Sequence, residues 1–377
     1  MLRTYSASPT QAVVDLGALA HNFALLRGRL APSCTVIGIV KANAYGHGAV
    51  EVAEALVRFG CSMLGVATVA EGIQLRDAGI LSQVVVLGPV VPRELGDLLQ
   101  HRLTPLIYEE AMLLALSERV RDVAPCPVHL EVETGMGRLG IPIERVVPLL
   151  QSAAFRGPLR MEGLMTHFAD AESVDPAFAR QQIDVFRDLI DRARDAGIEV
   201  PLAHMANTAG ILRYPDSHLD AVRPGIGLYG YWSGPSTTDD PPLKPILSWS
   251  THIVQIRPLQ QGQTVSYGRT FRASRPSRIA VLPVGYADGY NRLLSNKGSV
   301  LVHGRRAPVV GRVCMDMTMV DVTDVPDAKT GDTVVLIGRQ EQETITAQDV
   351  ASWQGSISYE VLCTIGPRVR RSYTGRP

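Results

Sequence analysis

Excess charge of either sign is absent from this 377-residue sequence: 37 lysines and arginines stand against 37 aspartates and glutamates. A formal net charge of zero gives no broad attraction to nucleic acid or to an anionic membrane. Cysteine is sparse. Cys34, Cys61, Cys126, Cys314 and Cys363 are scattered, odd in number and form no CxxC pair. They fit reduced thiols better than a disulfide framework or a thiolate zinc site. No run approaches the roughly 20 apolar residues that a membrane helix requires. The start, Met1-Leu-Arg-Thr-Tyr-Ser, carries no apolar leader segment. Low-complexity tracts and repeats of roughly 20–50 residues are also missing. The expectation is a cytoplasmic protein with an ordinary packed core.

What is present is ample apolar material, 46% of the chain, in a length that suggests two domains. Asp15 can cap a first helix whose apolar residues, Leu16, Leu19, Phe23, Leu26 and Leu30, recur at spacings of three and four. Val36–Val40 follows, apolar on both faces as a buried parallel strand should be. Seven further runs read as strands: 64–68, 84–88, 104–108, 128–133, 161–166, 202–207 and 221–229. Helical stretches such as 50–59 and 178–196 lie between them. Eight strands alternating with helices predict a (β/α)8 TIM-type barrel. An open doubly wound sheet would want a glycine-rich phosphate loop after its first strand, and Lys41-Ala-Asn-Ala-Tyr-Gly-His-Gly48 does not match GxGxxG. A polar, proline-rich connector occupies 234–242. Beyond it the pattern turns to strands at 247–256, 279–286, 299–303, 309–313, 317–322 and 333–337. The barrel is therefore assigned to residues 1–240 and a mostly-β domain to 241–377, with the first ten or so residues available to pair with the β domain.

In a barrel, functional residues sit at the carboxyl ends of the strands. Lys41 follows the first strand and Arg138 the fifth. His167 ends the sixth, Asn207 and Thr208 the seventh, and Arg223-Pro-Gly-Ile-Gly227 lies at the eighth. Each has a plainer reading when taken singly, as a solvated lysine, a core histidine or a turn. Their convergence on one rim is what points to a site.

Val40-Lys-Ala-Asn-Ala-Tyr-Gly-His-Gly48 resembles the cofactor-lysine segment of the alanine racemase family. The resemblance continues at Glu133-Thr-Gly-Met-Gly-Arg-Leu-Gly140, Met165-Thr-His-Phe168, Asn207-Thr208 and Arg223-Pro-Gly-Ile-Gly-Leu-Tyr-Gly230. It extends to Val265-Ser-Tyr-Gly268, Gly285-Tyr-Ala-Asp-Gly-Tyr290, Gly311-Arg-Val-Cys-Met-Asp-Met317 and Ser358-Tyr-Glu360. These motifs stand in family order over nearly the whole chain. They imply a barrel plus a β domain, a head-to-tail homodimer, and a pyridoxal 5′-phosphate-dependent interconversion of L- and D-alanine that supplies peptidoglycan.

The resemblance also implies roles. Lys41 bonds to the cofactor aldehyde and serves as base on one face of the substrate Cα; Tyr267 of the partner subunit serves on the other. His167 and Arg223 stand behind that tyrosine and lower its pKa. Arg223 faces the pyridine nitrogen as an obligate donor and keeps it unprotonated. Arg138 bonds the ring's phenolic oxygen and contacts the substrate, Met315 offers a backbone amide to the substrate carboxylate, and Tyr286 narrows the entrance with Tyr359. Tyr45, Asn207, Thr208, Gly225, Ile226 and Tyr359 complete the cofactor contacts. Two positions depart from the family pattern. Glu131 stands where many members carry a carbamylated lysine, so no carbamylation is expected here. Thr208 replaces a common serine and keeps the hydroxyl. A barrel-type pyridoxal-phosphate decarboxylase, or a racemase that also takes serine, are the alternatives. A decarboxylase would want a carboxylate where Arg223 stands.

Overall fold

The computed structural model describes residues 9–120, 125–232, 234 and 241–375. The chain divides into two compact units. The barrel unit comprises Leu19–Ala44 and Gly48–Lys244; the β unit comprises Met1–Ala18, Tyr45–His47 and Pro245–Pro377.

In the barrel unit eight parallel strands close on themselves. The order is Thr104–Ile107, Gln83–Val86, Met63–Val66, Thr35–Ile39, Ala221–Val222, Ala203–His204, Leu159–Met165 and Cys126–Glu133, which pairs back with Thr104–Ile107. Burial on both faces explains why strands such as Thr35–Ile39 and Gln83–Val86 are rich in Val and Ile, while Cys126–Glu133 and Leu159–Met165 also carry buried or half-buried polar residues. Val84, Val85 and Val86 are all fully buried. The helices that follow turn one stripe inward. In Ala177–Asp195 that stripe is Ile183, Phe186, Leu189, Ile190 and Ala193. In Ala49–Arg58 it is Val52, Ala53 and Leu56.

Two of the expected strands are much shorter than their apolar runs. The run at 221–229 is a strand only over Ala221–Val222; Pro224 has no N–H for a ladder, and the chain turns into a 3-10 segment at Ile226–Tyr229. The run at 202–207 is a strand only over Ala203–His204, because Asn207 caps the short helix Thr208–Arg213 by accepting from the Gly210 amide at 2.9 Å. Both shortenings place polar groups at a strand end.

In the β unit the main sheet runs Arg305–Pro308, Ser299–Val302, Thr333–Gln340, Leu247–His252, Gln11–Asp15, Arg370–Thr374, with Glu343–Ile345 also on Thr333–Gln340. Gln11–Asp15 is antiparallel to Leu247–His252 and parallel to Arg370–Thr374. Asp15 then caps the first helix, Leu16–Arg27, accepting from the Gly17 and Ala18 amides at 2.8 and 3.0 Å. A second sheet consists of Gln255–Leu259, Ser277–Leu282 and Thr318–Asp321. The run expected as one strand at 247–256 is thus two, broken at Ile253–Val254, where the chain changes sheets. The run at 309–313 is no strand; Gly311 takes a φ of +76°, and only Val309 bridges to Val320. The connector expected at 234–242 lies mostly outside the described residues.

Phe186 is fully buried between its helix and the barrel wall. Phe186→Ala should lower the unfolding free energy by about 3–5 kcal/mol, read as a shifted urea midpoint with unchanged slope.

Candidate active site

The barrel half of the site begins where the first strand ends. After Lys41 the backbone enters a left-handed turn: Ala42, Asn43, Ala44 and Tyr45 have φ of 52°, 54°, 53° and 53°. For L-residues this conformation costs roughly 1–2 kcal/mol each, so it persists only where surrounding contacts dictate it. Those contacts are visible. Glu71 accepts from the Ala42 amide at 2.7 Å with one carboxylate oxygen and from the Ala67 and Thr68 amides at 2.7 and 3.2 Å with the other. The Glu71 amide in turn donates to the Thr68 hydroxyl at 3.2 Å, completing a capping box on helix Val69–Asp77. Asn43 holds the far side, accepting from the Gly48 and Ala49 amides at 2.9 Å each. One helix N-terminus is thereby tied to the residue next to Lys41.

Arg223 is the hub of the opposite wall and is 4% exposed. One terminal nitrogen donates to His204 Nδ1 at 2.7 Å and to the His204 carbonyl at 3.0 Å. The other donates to the Thr166 carbonyl at 2.7 Å, to His167 Nδ1 at 3.0 Å and to the Met205 carbonyl at 3.2 Å. Burial pulls its pKa down to about 10, with Glu131 opposing, so it stays a cation. His167 is held well below the ordinary histidine range by burial, then by the charges of Arg223, Arg138 and Lys41. It is therefore neutral. Because Arg223 can only donate, the His167 proton resides on Nε2.

Glu131, 3% exposed, faces the same charges. Burial raises its pKa while Arg223 and Arg138 lower it. Arg138 follows a glycine loop shaped by Glu133, whose carboxylate accepts from the amides of Gly135 and Gly137. Thr208 gathers backbone donors: its hydroxyl accepts from the Gly225 amide at 3.2 Å and the Gly227 amide at 3.1 Å. A Cβ at Gly227 would lie 2.6 Å from the Thr208 methyl, so only glycine lets these amides approach. Lys41, Arg138, His167, Thr208, Arg223 and Gly225 thus lie at the carboxyl ends of the barrel strands, with Asn207 and Ile226 beside them.

The β unit collects the remaining candidates in two places. Tyr267 is 72% exposed, on a tight turn in which Ser266, Gly268 and Arg269 all have positive φ. It lines a cavity of about 1070 Å³ together with Ser266, Cys314 and Met315. Tyr286 adjoins this cavity: its amide donates to the Cys314 carbonyl at 3.0 Å, and the next amide, of Ala287, to the Met315 carbonyl at 3.0 Å. Tyr267, Tyr286, Met315 and Met317 form an exposed patch of large side chains. The second place joins Tyr45 and Tyr359, ring centroids 5.9 Å apart. Burial, then Tyr359 and Cys363, push the Tyr45 phenol upward, so it is a neutral donor. Arg371 and Tyr373 fasten this segment through the carbonyls of Gly46 and His47 at 3.0 and 3.2 Å.

Sequence patterning did not single out Glu71 and His204. The signal for Glu71 was its position three residues after Thr68, but nothing in the spacing told that its carboxylate reaches Ala42. His204 lay inside an apolar run.

Residues 14–233 match the family model for the alanine racemase N-terminal domain, and residues 246–373 match that for the alanine racemase C-terminal domain. The alanine racemase of Halothermothrix orenii is 42% identical over 369 residues, 98% of this chain and 97% of that one. That of Carboxydothermus hydrogenoformans is 43% identical over 367 residues, 97% of this chain and 99% of the other. Among solved structures, alanine racemase from Bacillus anthracis with bound L-Ala-P has a TM-score of 0.92 at 33% identity, covering 99% of this chain and 97% of that one.

Two outcomes are expected. Glu71→Ala removes a charged acceptor worth about 1.5–3 kcal/mol, so amides of the Ala42–Gly48 segment should exchange at least about tenfold faster by hydrogen-exchange mass spectrometry. Thr68→Ala, which keeps the carboxylate, should leave that segment protected. His167 and His204 both have folded pKa values well below the ordinary value. The unfolded chain then binds more protons below about pH 6.5, so stability is full above that pH and falls as pH drops beneath it. Unfolding titrations should show a loss of up to about 1.4 kcal/mol per pH unit for each ring.

Proposed function

We propose that this chain, which belongs to the alanine racemase family and is an amino-acid racemase, interconverts L-alanine and D-alanine with pyridoxal 5′-phosphate. The observation that carries the cofactor reading is the charge and donor set of the barrel rim. Lys41, Arg138 and Arg223 place three cations around a neutral His167 against the buried carboxylate of Glu131. The Thr208 hydroxyl stands among glycine amides. Such a set fits an anionic, phosphate-bearing group. When bound, pyridoxal phosphate supplies an electron-withdrawing ring that acidifies the substrate Cα–H.

The chain's own residues then divide the work. Lys41 would attach the cofactor covalently and, once released by the substrate amine, hold or return the Cα proton on one face. Tyr267 from a second copy of the chain would do so on the other face. His167 Nε2–H, fixed by Arg223, is the donor that would stabilise the ionised phenol. Arg223, a donor that does not give up its proton, would meet the pyridine nitrogen without protonating it. That arrangement would favour simple return of the proton to Cα. Arg138, oriented by Glu131 without any lysine carbamate, would bond the ring's phenolic oxygen and the substrate. Tyr45, Asn207, Thr208, Gly225, Ile226 and Tyr359 would hold the cofactor, chiefly its phosphate. The Met315 amide would take the substrate carboxylate, and Tyr286 with Tyr359 would restrict the entrance to small side chains. The exposed patch around Tyr267 and Met315 is the surface a second copy would cover, which gives a homodimer. In a bacterial cytoplasm the product D-alanine would feed peptidoglycan synthesis.

Holoprotein incubated with L-alanine in deuterated water should lose optical activity and gain deuterium at Cα, with no carbon dioxide or pyruvate. Released carbon dioxide would replace this reading with decarboxylation; exchange of serine at a similar rate would widen the substrate range. Lys41→Ala and Tyr267→Phe chains should each be inactive alone. Mixed and reassembled, they should regain roughly a quarter of the activity, because half of the dimers are hybrids with one intact site. No recovery would refute a shared site.

A further inference from the structure

Behind Arg223 the barrel interior holds polar residues that none of the roles above uses. His129 and His204 are both fully buried. Their rings meet edge to face, centroids 5.0 Å apart, with His129 Nδ1 and His204 Nε2 at 2.9 Å. On the far side His129 Nε2 faces a Glu162 carboxylate oxygen at 3.7 Å. Glu162 is 19% exposed, is bonded by the Gln83 amide, and lies 3.3 Å from Arg160. Gln83 opens its strand and also donates to Thr104, the first residue of the next strand, at 3.2 Å. Arg223 follows the strand Ala221–Val222. The series therefore runs from the carboxyl end of the barrel inward to the amino-terminal side.

Its direction is fixed by chemistry. Arginine only donates, so His204 Nδ1 must accept at 2.7 Å. Burial and the neighbouring Arg223 keep the His204 ring neutral, so its one proton sits on Nε2 and is given to His129 Nδ1. His129 Nδ1 accepts, which leaves its proton on Nε2, the atom that looks at Glu162. The His129 side holds Glu162 below the usual carboxylate range, the largest of several causes, so the end of the series is an anion. The fold makes room for this arrangement: a Cβ on Gly163 would lie 2.6 Å from His129 Nδ1.

We propose that His204, His129 and Glu162 are positioning residues for Arg223, a one-way donor series that locks both rings as the neutral Nε2–H form and sets a remote carboxylate against the buried guanidinium. A ring turned to the opposite form would point an N–H at Arg223 and push it off His167. The role assigned to Arg223 rests on the racemase reading; the proton positions do not.

Histidine-selective 15N labelling of the full chain, with His129→Asn and His204→Asn for assignment, reads each ring's protonated nitrogen. Both rings should carry the proton on Nε2 with or without pyridoxal phosphate. A proton on Nδ1 of either ring overturns the proposal, whether or not the protein racemises alanine. Glu162→Leu should leave both rings protonated on Nε2, because Arg223 still sets them, but lower kcat at least about tenfold, with KM for alanine within about twofold. Glu162→Gln, which keeps a polar group facing His129, should recover most of that kcat. An unchanged kcat in Glu162→Leu would also overturn it.

Discussion

A buried guanidinium with five contacts on its two terminal nitrogens is the constraint around which the barrel rim is arranged. Arg223 is too desolvated to sit there without partners, and no carboxylate pairs with it directly. Carbonyls of Thr166, His204 and Met205 and two histidine nitrogens satisfy it instead. Because each partner must accept, one arginine dictates which nitrogen of His167 and which of His204 carries a proton. A lysine in its place would also only donate, but its single nitrogen could not reach two rings and three carbonyls at once. The electrostatic state of the site is thus set by the donor count of one side chain more than by any titration.

Much of this was legible in the chain itself. Eight strand-like runs alternating with helical stretches, the first apolar on both faces, signalled a parallel barrel, and polar residues just after the runs marked the rim. Lys41 and Arg223 were readable because they stood at such ends within distinctive glycine-rich segments. The ends of the runs misled where proline or a capping asparagine stopped the ladder early, as at Pro224 and Asn207. Apolarity reports burial, not hydrogen bonding, and a strand end is a hydrogen-bonding event. In the β unit the same confusion joined two strands across Ile253–Val254.

What stayed hidden were partners chosen by the third dimension. Glu71 reads locally as a helix cap, and it is one, but its second oxygen serves Ala42, 29 positions earlier. His129 and Glu162 sit in two adjacent parallel strands, where His129 pairs with Gly163, the residue after Glu162. No spacing rule connects them. The left-handed turn after Lys41 was hidden for another reason. Alanine, asparagine and tyrosine carry no preference for that conformation strong enough to announce it. The turn is imposed from outside by Glu71 and Asn43, so it belongs to the tertiary structure although it spans four consecutive residues.

The strand Gln11–Asp15 lies inside the β sheet, between Leu247–His252 and Arg370–Thr374. It is made long before its second neighbour, Arg370–Thr374. The ladder groups on its Leu247–His252 side wait roughly 230 residues, and those on its Arg370–Thr374 side roughly 350, for a permanent partner. The barrel has all its strands in the first 222 residues and can close while synthesis continues. The β unit cannot complete its sheet until Arg370–Thr374 has been made. Such long-range pairing slows the last folding step and leaves an open strand edge in the nascent protein, the kind of surface that general chaperones shield.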